Sequence, residues 1–367
     1  MSGVRILHAA DLHLDSPFEA LGGALAAQRR REQRGLLRSL PQLAEQCGAQ
    51  LILLPGDLLD SDSAYPETAK LLAETFAQTK AQVFIAPGNH DFYSAHAPYA
   101  RIAFPKNVHI FRTPQLEAVE LPELRVRVWG AAFTDSRCPG LLHGFSLQKR
   151  AGVTDLLCVH GEVGKPASPY NPIAPEELAA SGFDYAALGH VHRCSGVRRA
   201  GRTTYAWPGC AEGRGFDETG EKGVLLAEVQ PGEARAEFLP LGGRRYEVLR
   251  VAAGDDAVQA VLDALPQGAQ RHIFRIVLTG ERERAPDLAA IRAALEGRVF
   301  AAQLRDETRL KQDIWAKAGQ GTLRGLFLSE LRAQYEAAET PAERERVTMA
   351  ARWGLAALDH DEEVFAL

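Results

Sequence analysis

The chain has 367 residues, 46% of them hydrophobic, and a formal net charge of −5, which leaves room for one large domain and a smaller one. Its mild acidity gives no sign of the basic patch that nucleic-acid binders usually carry. No apolar run reaches the length of a membrane span and no charged-then-apolar leader opens the chain, so a cytoplasmic location is expected. The five cysteines (Cys47, Cys138, Cys158, Cys194, Cys210) are odd in number and form no C-x-x-C pair, which argues against a secreted disulfide framework.

Val4 to Ala10 reads as a buried strand and hands over to Asp11-Leu12-His13. A turn at Asp15 to Phe18 follows, in which Asp15 either orients a ligand histidine or caps the turn. The polar-rich segment to Cys47 reads as a helix carrying Arg29, Arg30, Arg31, Arg34 and Arg38. Such a run suits a solvated helix face or a phosphate backbone. Gln50 to Leu54 is a second apolar run, and it stops at Pro55-Gly56-Asp57. An amphipathic helix to about Thr79 leads to the strand Gln82 to Ala86, which ends at Pro87-Gly88-Asn89-His90-Asp91.

Alternation over residues 107–133, with Val108, Ile110, Val126 and Val128, predicts strands of a second sheet. Leu156 to Val159 ends at His160-Gly161, and Tyr185 to Leu188 ends at Gly189-His190-Val191-His192. Thr203 to Pro208 is a further strand. The glycine-dense stretch from Glu212 to Gly223 predicts either a loop whose amides and Arg214 hold a phosphate or a hairpin between edge strands. From Leu249 the pattern becomes a small α+β alternation, with helices at 258–265 and 286–295 and strands at 272–278 and 299–304. Beyond Gln320, Leu323, Leu326, Phe327 and Leu331 form an amphipathic stripe, and Thr340, Pro341 and Glu343 open a capped helix. These shifts set the expected domains at 1–248, 249–320 and 321–367, the last a helical segment suited to gripping a partner.

Five apolar runs thus end in metal-ligand residue types, at the strand edge where ligands bind in open α/β sheets. Asp11, Asp57, His13, Asn89, His160, His190 and His192 offer oxygen and nitrogen without thiolate, a set suited to manganese, iron or zinc. Asp57 is the natural bridge between two cations about 3.5–4 Å apart, as in two-metal hydrolytic sites. His90 lies between Asn89 and Asp91, a spacing expected to let Asp91 hold the imidazole while His90 faces substrate. His190 and His192 fall on the same side of an extended segment, so neighbouring ions can take one each.

The ordered blocks D-x-H, G-D, G-N-H-D, H-G and G-H-x-H resemble the calcineurin-like metallophosphoesterases over roughly the first 200 residues. The opening His8 to Phe18 and the loop Glu218-Thr219-Gly220-Glu221-Lys222-Gly223 are most similar to the DNA-repair exonucleases of the SbcD and YhaO type. The resemblance implies an α/β fold: a β-sandwich flanked by helices, with a small C-terminal α+β cap domain and terminal helices. It gives one divalent ion to Asp11, His13, Asp57 and His192 and the other to Asp57, Asn89, His160 and His190, with manganese preferred. It makes His90 the transition-state histidine, oriented by Asp91. It implies hydrolysis of DNA phosphodiesters, a homodimer, and an SbcC-like coiled-coil ATPase as partner. The same metals also serve small-molecule phosphoesterases such as cyclic-nucleotide phosphodiesterases and phosphatases, and the terminal helices also suit a weakly active scaffold subunit. The sequence departs from the SbcD pattern at Asp60, where those nucleases carry a second histidine. An anion cannot donate the same contact to a phosphate.

Overall fold

Side-chain alternation along the strand Leu51–Leu54 sets the layering of the larger unit. In the computed structural model, which describes residues 3–61, 65–310 and 314–359, all four of these side chains are buried. Leu51 and Leu53 pack into one apolar cluster and Ile52 and Leu54 into another. Positions 311–313 and 360–367 of the two expected C-terminal segments lie outside the described residues.

The first six-stranded sheet runs in the order Glu233–Pro240, Gly223–Gln230, Val4–His8, Leu51–Leu54, Gln82–Ile85, Val108–Ile110. Its last four strands are mutually parallel, and Gly223–Gln230 pairs antiparallel with Val4–His8. The second six-stranded sheet runs Arg198–Ala200, Thr203–Ala206, Tyr185–Gly189, Thr154–His160, Val126–Gly130, Glu117–Leu121. Ile6, Leu51, Leu53 and Phe84 from the first sheet meet Val128, Leu156, Cys158 and Ala187 from the second, so one core lies between the sheets. The outer face of the first sheet is covered by Leu37 and Leu40 of the helix Gly23–Gln46 and by Leu72 and Phe76 of the helix Pro66–Phe76. The outer face of the second carries Leu142, Leu178, Phe183 and Trp207. This is the expected mixed α/β sandwich.

Two expectations need correcting. Val108–Ile110 is an edge strand of the first sheet, pairing with Val83 to Ile85. The Asn107 side-chain amide pins it there by donating to the carbonyls of Phe76, Thr79 and Ala81 at 3.0–3.1 Å. The arginine run is neither a uniform solvated face nor a free cationic stripe. Arg29 is fully buried, with Nη1 2.5 Å from Glu212 Oε1 and 2.6 Å from Glu32 Oε2, and Arg34 Nη2 lies 2.7 Å from Asp15 Oδ1. Asp15 therefore pairs with Arg34, not with a ligand histidine.

The chain divides into two compact units. One comprises Met1–Arg250, Leu262–Val277 and Arg292–Arg305, and holds both large sheets; the other comprises Val251–Val261, Leu278–Ile291 and Asp306–Leu367. In the second unit the helices Leu323–Ala337 and Pro341–Asp359 pack together as a hairpin. A capping box closes the amino end of the second helix: Thr340 Oγ1 accepts from the Glu343 amide at 3.2 Å, and Glu343 Oε2 accepts from the Thr340 amide at 3.0 Å. No described helix is long and apolar enough to cross a membrane.

Removing one partner of a buried ion pair strands the other charge, at a cost of about 3–5 kcal/mol. Arg29→Ala should therefore lower the urea midpoint of unfolding sharply, whereas the double change Arg29→Met with Glu212→Leu should recover most of the loss.

Candidate metal centre

Five strands, Val4–His8, Leu51–Leu54, Gln82–Ile85, Thr154–His160 and Tyr185–Gly189, deliver their carboxyl ends to one cleft. The loops that leave them bend sharply. Asp11, His13, Asp57 and His190 have φ of 52°, 44°, 52° and 95°, a region that non-glycine residues seldom adopt outside functional sites. Backbone bonds hold the first two loops together, Asp11 N–H to the Gly56 carbonyl at 3.1 Å and His13 N–H to the Asp57 carbonyl at 2.9 Å. The third and fifth loops approach so closely that a Cβ on Gly88 would strike Asp57 Oδ1, and one on Gly189 would strike the Pro55 carbonyl. Glycine is required there by contact alone.

The seven expected ligands come together in two sets that share one acid. In the first, ligand atoms of Asp11, His13, Asp57 and His192 all lie within 4.8 Å of one another. In the second, His160 Nε2 is 2.9 Å from Asn89 Oδ1 and 3.1 Å from His190 Nδ1. Asp57 Oδ2 stands between them, 3.7 Å from His13 Nε2 and 3.4 Å from His160 Nε2.

The outer hydrogen bonds decide which ring nitrogens face inward. His13 Nδ1 is 3.1 Å from Asp60 Oδ1 and His192 Nδ1 is 2.6 Å from Glu218 Oε1. The His13 Nδ1 must therefore carry the proton, because a carboxylate can only accept; Arg214 Nη2 also stands 3.2 Å from the His192 Nδ1, but the much shorter contact with Glu218 favours the same tautomer there. The two Nε2 atoms this leaves are 3.2 Å apart. Two lone pairs at that distance repel, so a proton or a cation has to lie between them. Burial alone would lower the pKa of His192, but the hydrogen bond to Glu218 and the charge of Asp11 outweigh it and raise the value. Burial holds His13, His160 and His190 down at about 4, so these rings are neutral and free to ligate near neutral pH. Burial also pushes the Asp11 carboxyl up to about 8, with His192 opposing and Asp57 reinforcing the shift. A divalent cation would reverse that preference by favouring the charged form. The donor set therefore fits a pair of divalent ions.

His90 is exposed at the cleft, with Nδ1 3.2 Å from the Asp60 carbonyl and its backbone N–H donating to Asp57 Oδ1 at 3.0 Å. Asp91 does not hold this ring, contrary to expectation. Its carboxylate accepts from the amides of Asp57, Leu58, Leu59 and Gly88 at 2.8–3.2 Å and from the Tyr99 hydroxyl at 2.5 Å. Five donors occupy it fully, and its effect is to bolt the Asp57 loop to the Asn89 loop. His13, Asp60 and His90 also converge, but there Asp60 serves as the hydrogen-bond acceptor for both rings, through its carboxylate to His13 and its carbonyl to His90.

Sequence reasoning missed Glu218 and Glu162, whose Oε2 is 3.8 Å from His190 Nε2. For Glu218 the signal was the glycine-dense loop from Glu212; Glu162, two residues after His160, had none. Arg214 turns inward from that loop, with Nη1 3.0 Å from Asp60 Oδ1 and Nη2 2.8 Å from Glu218 Oε1. It is committed to carboxylates of the protein, not free to receive a phosphate.

The family model for calcineurin-like phosphoesterases matches residues 4–194, more than half of the chain. The chain belongs to this family. All seven ligand residues, from Asp11 to His192, fall within the matched span. Among curated relatives, it is 29% identical over 282 residues to the uncharacterized metallophosphoesterase YhaO of Bacillus subtilis, covering 71% of this chain and 65% of YhaO. The chain thus spans just under two thirds of that relative's length. It is 24% identical over 303 residues to the SbcD component of the nuclease SbcCD from the same organism, covering 71% of this chain and 75% of that one. A solved glutamine-dependent NAD+ synthetase from Acinetobacter baumannii overlays with a TM-score of 0.28 at 11% identity, over 97% of this chain and 73% of the other, too distant to bear on the fold.

His8, held at about 3 by burial between the sheets, joins His13 and His160 as rings that stay neutral when folded. Below their ordinary value of 6.5 the unfolded chain binds protons that the fold refuses, so stability falls as pH drops from 6.5 toward 4. Among the ligands, Asp11 and His192, both raised, act in the opposite sense, against four lowered rings: His8, His13, His160 and His190. The melting temperature of chelator-treated protein should decline across that window, and a flat profile would contradict the burial of neutral rings.

Proposed function

We propose that this chain is a two-metal phosphodiesterase acting on DNA, an exonuclease of the SbcD and YhaO kind. The observation that carries the two-metal reading is the position of Asp57 Oδ2 between His13 Nε2 and His160 Nε2, at 3.7 and 3.4 Å. Similarity to a relative named as part of a nuclease supports the choice of DNA. Asp11, His13, Asp57 and His192 would hold one ion, and Asp57, Asn89, His160 and His190 the other. The ions, with manganese the first choice for this oxygen and nitrogen set, would supply an activated water and offset the charge of the phosphate.

The chain's own residues do the rest. The His90 backbone amide holds Asp57 Oδ1, leaving Oδ2 to the bridge. The Asp60 carbonyl takes His90 Nδ1, which turns Nε2 outward toward a substrate. From there His90 Nε2 can give a proton to the departing oxygen. Asp91 acts one step back, by fixing the two loops on which Asp57 and His90 stand. Because Asp60 faces His13, His90 works without the second histidine of the SbcD pattern.

The remaining assignments follow the same reading. Residues 1–248 would form the catalytic domain and 249–320 a cap that presents DNA. The hairpin in 321–367 would receive an SbcC-like ATPase, a role supported by its exposed Leu323 (73%), Leu326 (67%) and Trp353 (56%). A homodimer and a cytoplasmic location complete it.

Purified protein with manganese should degrade linear or single-stranded DNA, and a chelator should stop it. His90→Asn should lower the rate by about 10²–10⁴-fold while two ions still bind. Intact DNA at generous enzyme concentration, beside hydrolysis of a cyclic nucleotide or an aryl phosphate, would move the assignment to small-molecule substrates.

A further inference from the structure

The two histidines of the first ligand set lean on different carboxylates, and one guanidinium joins those carboxylates. Asp60 Oδ1 accepts from His13 Nδ1 at 3.1 Å and from Arg214 Nη1 at 3.0 Å. Glu218 Oε1 accepts from His192 Nδ1 at 2.6 Å and from Arg214 Nη2 at 2.8 Å. The same oxygen that receives the ring proton therefore also receives one arm of the guanidinium on each side. Glu218 is fastened further, since its Oε2 accepts from the Arg214 backbone amide at 2.8 Å.

We propose that Arg214 is a positioning residue for one metal ion of the pair: its planar fork sets the separation of Asp60 and Glu218, and through them the facing Nε2 atoms of His13 and His192. A guanidinium suits this role because its nitrogens lie in a fixed plane, whereas a lysine ammonium is a single point that cannot span both carboxylates in the same geometry. The second ligand set has no such dependence. His160 is fixed by the Pro55 carbonyl, 3.0 Å from Nδ1. The side chains of Asn89, His160 and His190 bond to one another, to Pro55, to Asp57 and to Glu162, all outside the 212–218 loop. Arg214 thus ties the assembly of one ion site to that loop and leaves the other alone.

A rival account is purely electrostatic. Arg214 is a cation near a cation site, so if charge were its whole effect, removing it would tighten metal binding. Positioning predicts the opposite sign. Loss of a residue that orients a ligand typically weakens metal binding by about 10–100-fold.

The inference rests on the two-ion reading above, and the test separates the two. The full-length chain, stripped with chelator, is titrated with manganese alone by calorimetry, and bound metal is counted after dialysis. Wild type should bind two ions per chain. Arg214→Ala and Arg214→Lys should each keep one ion at the wild-type affinity and bind the second about 10–100-fold more weakly. Two ions at unchanged or greater affinity in both variants would overturn the proposal, as would equal weakening of both ions, which marks a general loss of fold. Fewer than two ions in wild type would instead overturn the two-ion reading.

Discussion

The constraint on which the structure depends is the crowding of lone pairs around Asp57. Left to themselves these acceptors repel, and the fold has to hold them together. It does so from outside, by giving three of the four ligand rings a hydrogen-bond partner on the far nitrogen: Asp60 for His13, Glu218 for His192 and the Pro55 carbonyl for His160. Those bonds fix the tautomers and place the ring protons where they cannot interfere. The cleft is thereby preorganised for positive charge, and the perturbed acidities of Asp11 and the buried rings are consequences of the same arrangement.

The sandwich supplies the rigidity. Strands buried on both faces bring loops from both sheets to a common rim, and short backbone bonds lock neighbouring loops. The positive φ values at four of the ligands cost energy that the surrounding packing must offset. Asp91 contributes most directly, since a single carboxylate gathers donors from the Asp57 loop, the Gly88 turn and Tyr99.

The strand-then-ligand blocks could be read from sequence because each is local: an apolar run, a turn and a donor within a few residues. The order of blocks identified the family and the sandwich. What connects the blocks was not visible. Three of the five donors to Asp91 come from Asp57, Leu58 and Leu59, far back along the chain, and Glu218 lies 26 residues beyond His192, past two strands, in a loop with no periodicity to read. The spacing suggested a tie between Asp91 and His90, but donors brought up by the fold had the stronger claim on that carboxylate. Arg29 looked solvated for a similar reason, since nothing local announces Glu212. Adjacency in sequence is a poor guide to hydrogen bonding once a sharp turn intervenes.

The strand order has a consequence for how the protein is made. Val4–His8 lies between Leu51–Leu54 and Gly223–Gln230. Once Asn89 has left the ribosome, Asp11, His13 and Asp57 are already present beside it, yet neither ligand set is complete until His190 and His192 emerge. The opening strand must also wait for its antiparallel neighbour. Four sandwich strands, Arg198–Ala200, Thr203–Ala206, Gly223–Gln230 and Glu233–Pro240, still follow His192, so every ligand residue has been synthesised before the sheets that hold them can close.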